Sequence, residues 1–289
     1  MIPIEARKTI GPYQVLDVIG HGGMATVYRA LEPQLDRIVA IKVLLPAFAE
    51  DAAFRSRFQR EARLVARLKY PNIVGIYGVG EDQGMPYLAM EYLEGTTLHA
   101  LIRQRRQAGD SFTPAEALDL LRPLAAALDY AHGEGIVHRD LKPENIILTT
   151  SGPVITDFGL AKMVADDAVT VSVIMGTPSY MAPEQIRGEM VDRRTDVYAL
   201  GILLYELLTG QIPFTGPSPY AVVQAHLHLP PPALSNLNPR LASMPMLETV
   251  AQRAIAKGKP ERWPTAGALV AALERAVDAS TSETVRSPG

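Results

Sequence analysis

The stretch HRDLKPENIILTTSGPVITDFG, residues 138–159, decides the reading of the chain. Two acidic residues, Asp140 and Asp157, flank Lys142 and Asn145, with the short apolar run Ile146-Ile147-Leu148 between the clusters. Extended apolar pieces separated by Ser-Gly-Pro predict a β-hairpin, which folds the two polar clusters onto each other. That puts a proton acceptor and two oxygen ligands for a hard cation at the mouth of one cleft. Carboxylate and amide oxygens without Cys or clustered His favour Mg²⁺ over zinc. For a lone DFG, polar loops capping a hairpin would be the preferred reading, so the rest of the chain has to decide.

At 289 residues, with 47% hydrophobic and 20% charged side chains, the sequence describes a soluble globular protein of one large or two modest domains. Its net charge of -3 offers no general attraction to nucleic acid or to an anionic membrane. The absence of Cys excludes a disulfide framework and thiolate metal sites, and it fits a reducing compartment. MIPIEARKTIG carries no charged-then-apolar targeting pattern. The longest strongly apolar piece, Val197 to Leu208, is interrupted by Glu206 and is too short to span a bilayer.

Outward from the central stretch, residues 13–20 alternate apolar and polar and predict a strand. A glycine-rich loop follows, Gly20-His21-Gly22-Gly23-Met24-Ala25-Thr26-Val27, whose backbone N–H groups can approach phosphate oxygens without hindrance from Cβ. A dinucleotide-binding loop would need a helix immediately after the glycines. Residues 26–44 instead read as strand, turn, strand, so a phosphate-covering flap is the better reading. Lys42 lies in the β-branched run VAIKVL, where a cation is costly unless it is paired or reaches solvent. Residues 51–68 have helical periodicity, and Glu61 falls on the apolar stripe of Phe54, Phe58, Val65 and Leu68. One misplaced cation and one misplaced anion explain each other as a pair. Residues 73–92 hold two more strands around the turn at 81–84, completing a first region of five strands and one helix.

Beyond Leu93 the pattern turns helical. Thr113-Pro-Ala-Glu116 is a capping box opening a helix that Gly133 should end, with Leu118, Leu121, Leu124 and Leu128 buried and Pro123 kinking it or removing one bond. Thr195-Asp196 opens an all-round apolar helix stopped by Gly210, where Asp196 suits an N-cap. Residues 211–247 are Pro-rich with one helical piece at 220–228. His226 and His228 have no third ligand nearby and read as packing or surface residues. Final helices are expected at 246–256 and 266–276, followed by a disordered tail at 279–289.

HRDLKPEN, the Lys of VAIKVL, DFG and GTPSYMAPE (176–184) closely resemble the motifs of eukaryotic-type (Hanks) serine/threonine protein kinases. GHGGMATV resembles the bacterial, often receptor-type, members in particular, with Ala25 in place of the third glycine. The resemblance covers roughly residues 11–277. It implies a bilobal α+β fold: a small antiparallel sheet with one helix in 1–93, hinged to a larger, mainly helical lobe in 94–278. It also implies transfer of the γ-phosphoryl of ATP to Ser or Thr hydroxyls of protein substrates. Asp140 would accept the hydroxyl proton and Lys142 would stabilise the phosphoryl group. Asn145 and Asp157 would hold Mg²⁺, with Mn²⁺ as a substitute. Lys42, held by Glu61, would grip the α/β-phosphates. The ATP contacts would include the loop residues 20–25 and Val27, with Ile19, Ala40, Ile147, the gatekeeper Met90 (equally at home as core) and the hinge residues Glu91 and Leu93. Arg139 would receive a phosphate from Thr170 or Ser172, and Thr177 would face the substrate. Glu184 would pair with Arg262, and Asp196 would also brace the catalytic-loop backbone. Kinase–kinase dimers for trans-autophosphorylation are a further implication, as is a cytoplasmic location, either alone or as the cytoplasmic domain of a longer membrane protein. A pseudokinase scaffold and a small-molecule phosphotransferase of kinase-like fold are the alternatives. The first is disfavoured by the complete set of charged residues and the second by GTPSYMAPE.

Overall fold

The computed structural model describes residues 8–158 and 178–285, with side chains to residue 280. Thr170, Ser172 and Thr177 therefore lie outside the described residues, as does Gly159. The described chain divides into two compact units, with the division between Glu94 and Gly95.

The first unit is built on a six-stranded antiparallel sheet, in the order β1-β2-β3-β4-β6-β5. Its strands are β1 (Thr9–Ile10), β2 (Tyr13–His21), β3 (Ala25–Glu32), β4 (Arg37–Leu44), β5 (Ile76–Asp82) and β6 (Met85–Glu91). Tyr13, Tyr28, Val39, Ile41, Val43, Tyr87 and Ala89 pack as its core. β1 and the short helix α1 (Pro46–Ala49) add to the expected five strands and one helix. Helix α2 (Ala52–Val65) starts where Asp51 caps it, its carboxylate accepting the N–H groups of Ala53 and Phe54. It buries Phe54, Phe58, Glu61, Ala62 and Val65.

The second unit opens with β7 (Thr96–Thr97) and α3 (Leu98–Gln107), then α4 (Pro114–Gly133). The capping box is formed: Thr113 accepts the Glu116 N–H, and the Glu116 carboxylate accepts the Thr113 N–H. Arg105 and that box hold the Glu116 carboxyl down at about 2. α4 continues through Pro123, burying the four expected leucines. β8 (Ile146–Thr149) and β9 (Gly152–Ile155) form the predicted hairpin, and β7 adds to β8. Then come α5 (Pro183–Ile186), α6 (Arg193–Thr209), α7 (Pro219–His228), α8 (Leu234–Leu237), α9 (Pro245–Ala254) and α10 (Ala266–Val285).

From Thr195 to Thr209 every residue of α6 is buried, so the unit is assembled around that helix. Gly210 ends it with φ of 70°, a left-handed conformation that costs a side-chain-bearing residue but not glycine. Two expectations change here. Asp192, not Asp196, is the N-cap of α6, because its carboxylate accepts the Arg194 N–H while Asp196 is engaged elsewhere. The last helix runs to Val285 instead of giving way to a disordered tail at 279. The small polar residues there are compatible with helical hydrogen bonding, and no Gly or Pro interrupts them before Pro288. Among the described residues, no helix is long and apolar enough to cross a membrane.

Candidate active site

In the first unit the glycine-rich loop is a tight hairpin. Gly20 pairs with Val27 and His21 with Thr26, leaving only residues 22–24 to turn the chain. The Gly22 N–H donates to the Ala25 carbonyl at 2.9 Å, and the Leu45 N–H donates to the Met24 carbonyl at 2.9 Å. A strand, not a helix, follows the glycines, as a phosphate flap requires and a dinucleotide fold does not. Ile19 is exposed at the end of β2. The register sets Lys42 of β4 opposite Val27 on one side and Leu88 on the other, and it sets Ala40 opposite Met90. Ala40 and Met90 are both buried. Glu91 is tied to Gly75 through both its backbone N–H and its carboxylate, just ahead of Leu93.

Glu61 of α2 is buried, its side chain only 4% exposed, and its carboxylate lies 3.1 Å from Arg60. Arg60 is 70% exposed, so its long chain folds back from solvent onto the neighbouring carboxylate.

In the second unit the catalytic-loop backbone is fixed from several sides. Asp196, fully buried, accepts the His138 N–H at 2.8 Å and the Arg139 N–H at 2.9 Å. Burial works to raise the Asp196 carboxyl, but His132 and the backbone donors outweigh it and hold the group below the usual range. Gln185 donates to the Arg139 carbonyl at 2.8 Å. With both sides of its backbone held, Arg139 keeps a φ of 65°, a left-handed conformation costing on the order of 1–3 kcal/mol. Asp157 has φ of 56°. His138 is buried and neutral, its Nδ1 accepting the Asp140 N–H and its Nε2 donating to the Thr156 carbonyl. Burial pushes its pKa down. Its ring packs on Phe158, with centroids 4.6 Å apart.

Lys142 and Asn145 both hold Asp140. Lys142 Nζ lies 3.2 Å from its Oδ2, and Asn145 Nδ2 donates to its carbonyl at 2.8 Å and to Oδ2 at 3.2 Å. These contacts occupy the amide's donors and leave Asn145 Oδ1, an acceptor, for a cation. Ile147 of β8 pairs with Thr97 and Val154. No cluster of three or more His, Cys, Asp or Glu that could hold a metal occurs among the described residues. One amide and one carboxylate, Asn145 and Asp157, suit a cation such as Mg²⁺ that completes its shell with water and a substrate's phosphates.

Glu184 and Arg262 meet as a two-pronged pair, at 2.8 Å on each prong, both below 2% exposure. Tyr180 donates to the buried carboxylate of Glu206. His226 is buried, packed on Phe214, with its Nδ1 2.8 Å from the Tyr198 hydroxyl. The sequence reading missed Gln185, which has no motif to mark it, and His132. Asp129 and His132, three residues apart on one face of α4, were the signal for the second.

A fixed loop that presents a carboxylate beside a lysine and an amide, in a helical unit preceded by a sheet carrying a glycine flap, is what a phosphoryl-transfer domain requires. Residues 13–245 match the protein kinase domain model. The chain belongs to the protein kinase domain family. It is 41% identical over 275 residues to serine/threonine-protein kinase PrkC of Bacillus subtilis, with 94% of this chain and 42% of PrkC covered. It is also 41% identical over 278 residues to serine/threonine-protein kinase PknD of Mycobacterium tuberculosis, covering 96% of this chain and 41% of PknD. Among solved structures, the Mycobacterium tuberculosis PknI kinase domain superposes with a TM-score of 0.75 at 32% identity, covering 93% of this chain and 97% of that one. The fold is the protein kinase fold. The chain spans about two fifths of the length of the curated relatives it matches.

Proposed function

We propose that this chain transfers the γ-phosphoryl of ATP to Ser and Thr hydroxyls of proteins. The observation that carries the reading is Asp140, held by Lys142 and Asn145 on a loop whose backbone N–H groups are fixed by the buried Asp196. Asp140 orients the acceptor hydroxyl and takes its proton. Lys142, already beside it, offsets the charge of the migrating phosphoryl group. Lys42 and the Gly20–Val27 loop hold the phosphates, and Glu61 orients Lys42. Asn145 and Asp157 hold Mg²⁺, which neutralises phosphate charge when bound. Catalysis of this kind is positioning plus charge stabilisation, so losing one charged group costs far more than its share of surface.

Regulation follows from Arg139. Its buried Nε has no hydrogen-bond partner among the described residues. A phosphate on Thr170 or Ser172 would supply nearly two negative charges and several acceptor oxygens to that guanidinium. Autophosphorylation in trans, through a kinase–kinase dimer, is the route proposed for placing it. Thr177 is the proposed contact for the acceptor peptide. The site of action is the cytoplasm, with proteins and not nucleic acid as partners.

Incubation with γ-labelled Mg·ATP and a generic protein substrate tests the reading. Label on Ser and Thr of the protein is expected. Phosphate transferred only to small molecules, or no transfer at all, would overturn it in favour of the two alternatives.

A further inference from the structure

His132 stands between the catalytic loop and the last helix. It lies in the final turn of α4 with its side chain only 5% exposed. Its Nε2 is 2.7 Å from Asp196 Oδ2, and its Nδ1 is 3.8 Å from Asp129 Oδ1, an ion-pair distance. Each carboxylate has two further donors. Asp196 takes the N–H groups of His138 and Arg139. Asp129 takes those of Ala266, at 3.0 Å, and Gly267, at 2.9 Å, in the first turn of α10. The 2.7 Å contact is a hydrogen bond, whereas 3.8 Å is too long for one and leaves Nδ1 without a hydrogen-bond partner among the described residues. With a carboxylate facing each ring nitrogen, a doubly protonated ring is attracted by both, while a neutral ring turns a lone pair toward one of them. Gly267 belongs to the same chain of contacts. A Cβ there would lie 2.7 Å from Asp129 Oδ2 and push that carboxylate off the helix end.

We propose that His132, as an imidazolium, is a positioning residue for phosphoryl transfer, the middle of a relay Asp129–His132–Asp196 that ties the N-terminus of α10 to the backbone of His138 and Arg139 and thereby sets Asp140. The proposal rests on the kinase reading above. Its logic is electrostatic. The positive end of α10 and two amide N–H groups hold Asp129, two catalytic-loop N–H groups hold Asp196, and one cation joins the two anions. Burial works against that charge, but Asp129 and Asp196 outweigh it and hold the ring up at about 9. The groups that face the ring are Asp129 on its own helix, Asp196 from α6 with the neutral His138 behind it, and Asp192, Arg193 and Arg194 along the groove beside it. A merely structural histidine would lower stability when replaced and leave turnover per folded molecule alone.

The experiment compares the wild-type chain with His132→Gln, Asp129→Asn and Gly267→Ala. Nitrogen-15 spectra of the histidine rings, with the His132 signals identified by their loss in His132→Gln, read the charge without turnover. Both ring nitrogens should be protonated at neutral pH, and the ring pKa should fall by about one unit or more in Asp129→Asn. In steady-state kinetics kcat should fall about tenfold in His132→Gln and Asp129→Asn with KM for Mg·ATP nearly constant, and Gly267→Ala should move the same way. A neutral His132 ring at neutral pH would overturn the proposal. So would an unchanged kcat in Asp129→Asn, a partly exposed position that remains testable if His132→Gln fails to fold. A wild-type chain that transfers no phosphate would count against the kinase reading, while the ring spectra would still decide the relay.

Discussion

Arg262→Ala removes the cation that closes the second unit. All five N–H donors of Arg262 are used: Nε to the Ala256 carbonyl, Nη1 to Glu184 and the Arg194 carbonyl, and Nη2 to Glu184 and the Lys257 carbonyl. The guanidinium also lies over the Tyr198 ring, 4.7 Å from its centroid. Burial works to raise the Glu184 carboxyl, but Arg262 holds it below the usual range, so the pair is ionised at neutral pH. Truncation to Ala leaves a carboxylate 1% exposed with Thr195 as its remaining side-chain donor, and it removes the guanidinium donor from three backbone carbonyls. Breaking one side of such a buried pair costs about 3–5 kcal/mol. At about 3 °C per kcal/mol for a folding unit of this size, the melting temperature should fall by roughly 9–15 °C. Differential scanning calorimetry against Arg122→Ala, whose side chain is 52% exposed, provides the reference. Arg262→Met combined with Glu184→Leu should recover much of the loss, because two apolar groups leave no buried charge unpaired. A shift in Arg262→Ala no larger than that of Arg122→Ala would refute the reasoning.

Calorimetry of Mg·ATP binding should separate Asp157→Asn and Asn145→Ala, which lose affinity, from Asp140→Asn, which keeps it; equal loss in all three would remove the division of labour. Lys42→Met should abolish transfer with the melting temperature nearly unchanged, since the fold does not depend on nucleotide, and wild-type turnover would exclude the assignment. For pH, His132 has its folded pKa raised from 6.5 to about 9. Its contribution is therefore complete below 6.5 and is lost as pH rises through about 9. Urea midpoints of the wild-type chain should fall across that window relative to His132→Gln, whereas parallel curves would mean the ring is not held charged. After incubation with Mg·ATP, mass spectrometry should find phosphate at Thr170, Ser172 or both, and Thr170→Ala/Ser172→Ala should be much less active; full activity in that double variant would mean something else orders the segment.

The elements that sequence made legible are those whose signal is local. Thr113 and Glu116 carry their own cap, Gly210 its own stop, and the hairpin at 146–155 its own turn. Strand β1 has two residues, too few for any periodicity, and it exists because Ile10 finds Tyr13 across the turn. Asp192 and Asp196 stand four apart before the same apolar run, and either could cap it. What separates them is tertiary: His132 and the N–H groups of His138 and Arg139 claim Asp196, leaving the cap to Asp192. The pairing of Glu184 with Arg262 spans 78 positions and entered through family resemblance, since no local rule reaches that far. The burial of Glu61 was legible from the helical stripe, whereas its contact with Arg60 was not, because adjacent helix positions do not ordinarily face each other.

The central claim is that Asp140 performs phosphoryl transfer to a protein hydroxyl, and rapid-quench transfer from labelled Mg·ATP to a protein acceptor tests it most directly. The wild-type chain should label Ser and Thr, and Asp140→Asn should be slower by about 10²–10⁴-fold, the range for loss of a positioned proton acceptor. Asp140→Asn transferring phosphate at the wild-type rate would contradict the account.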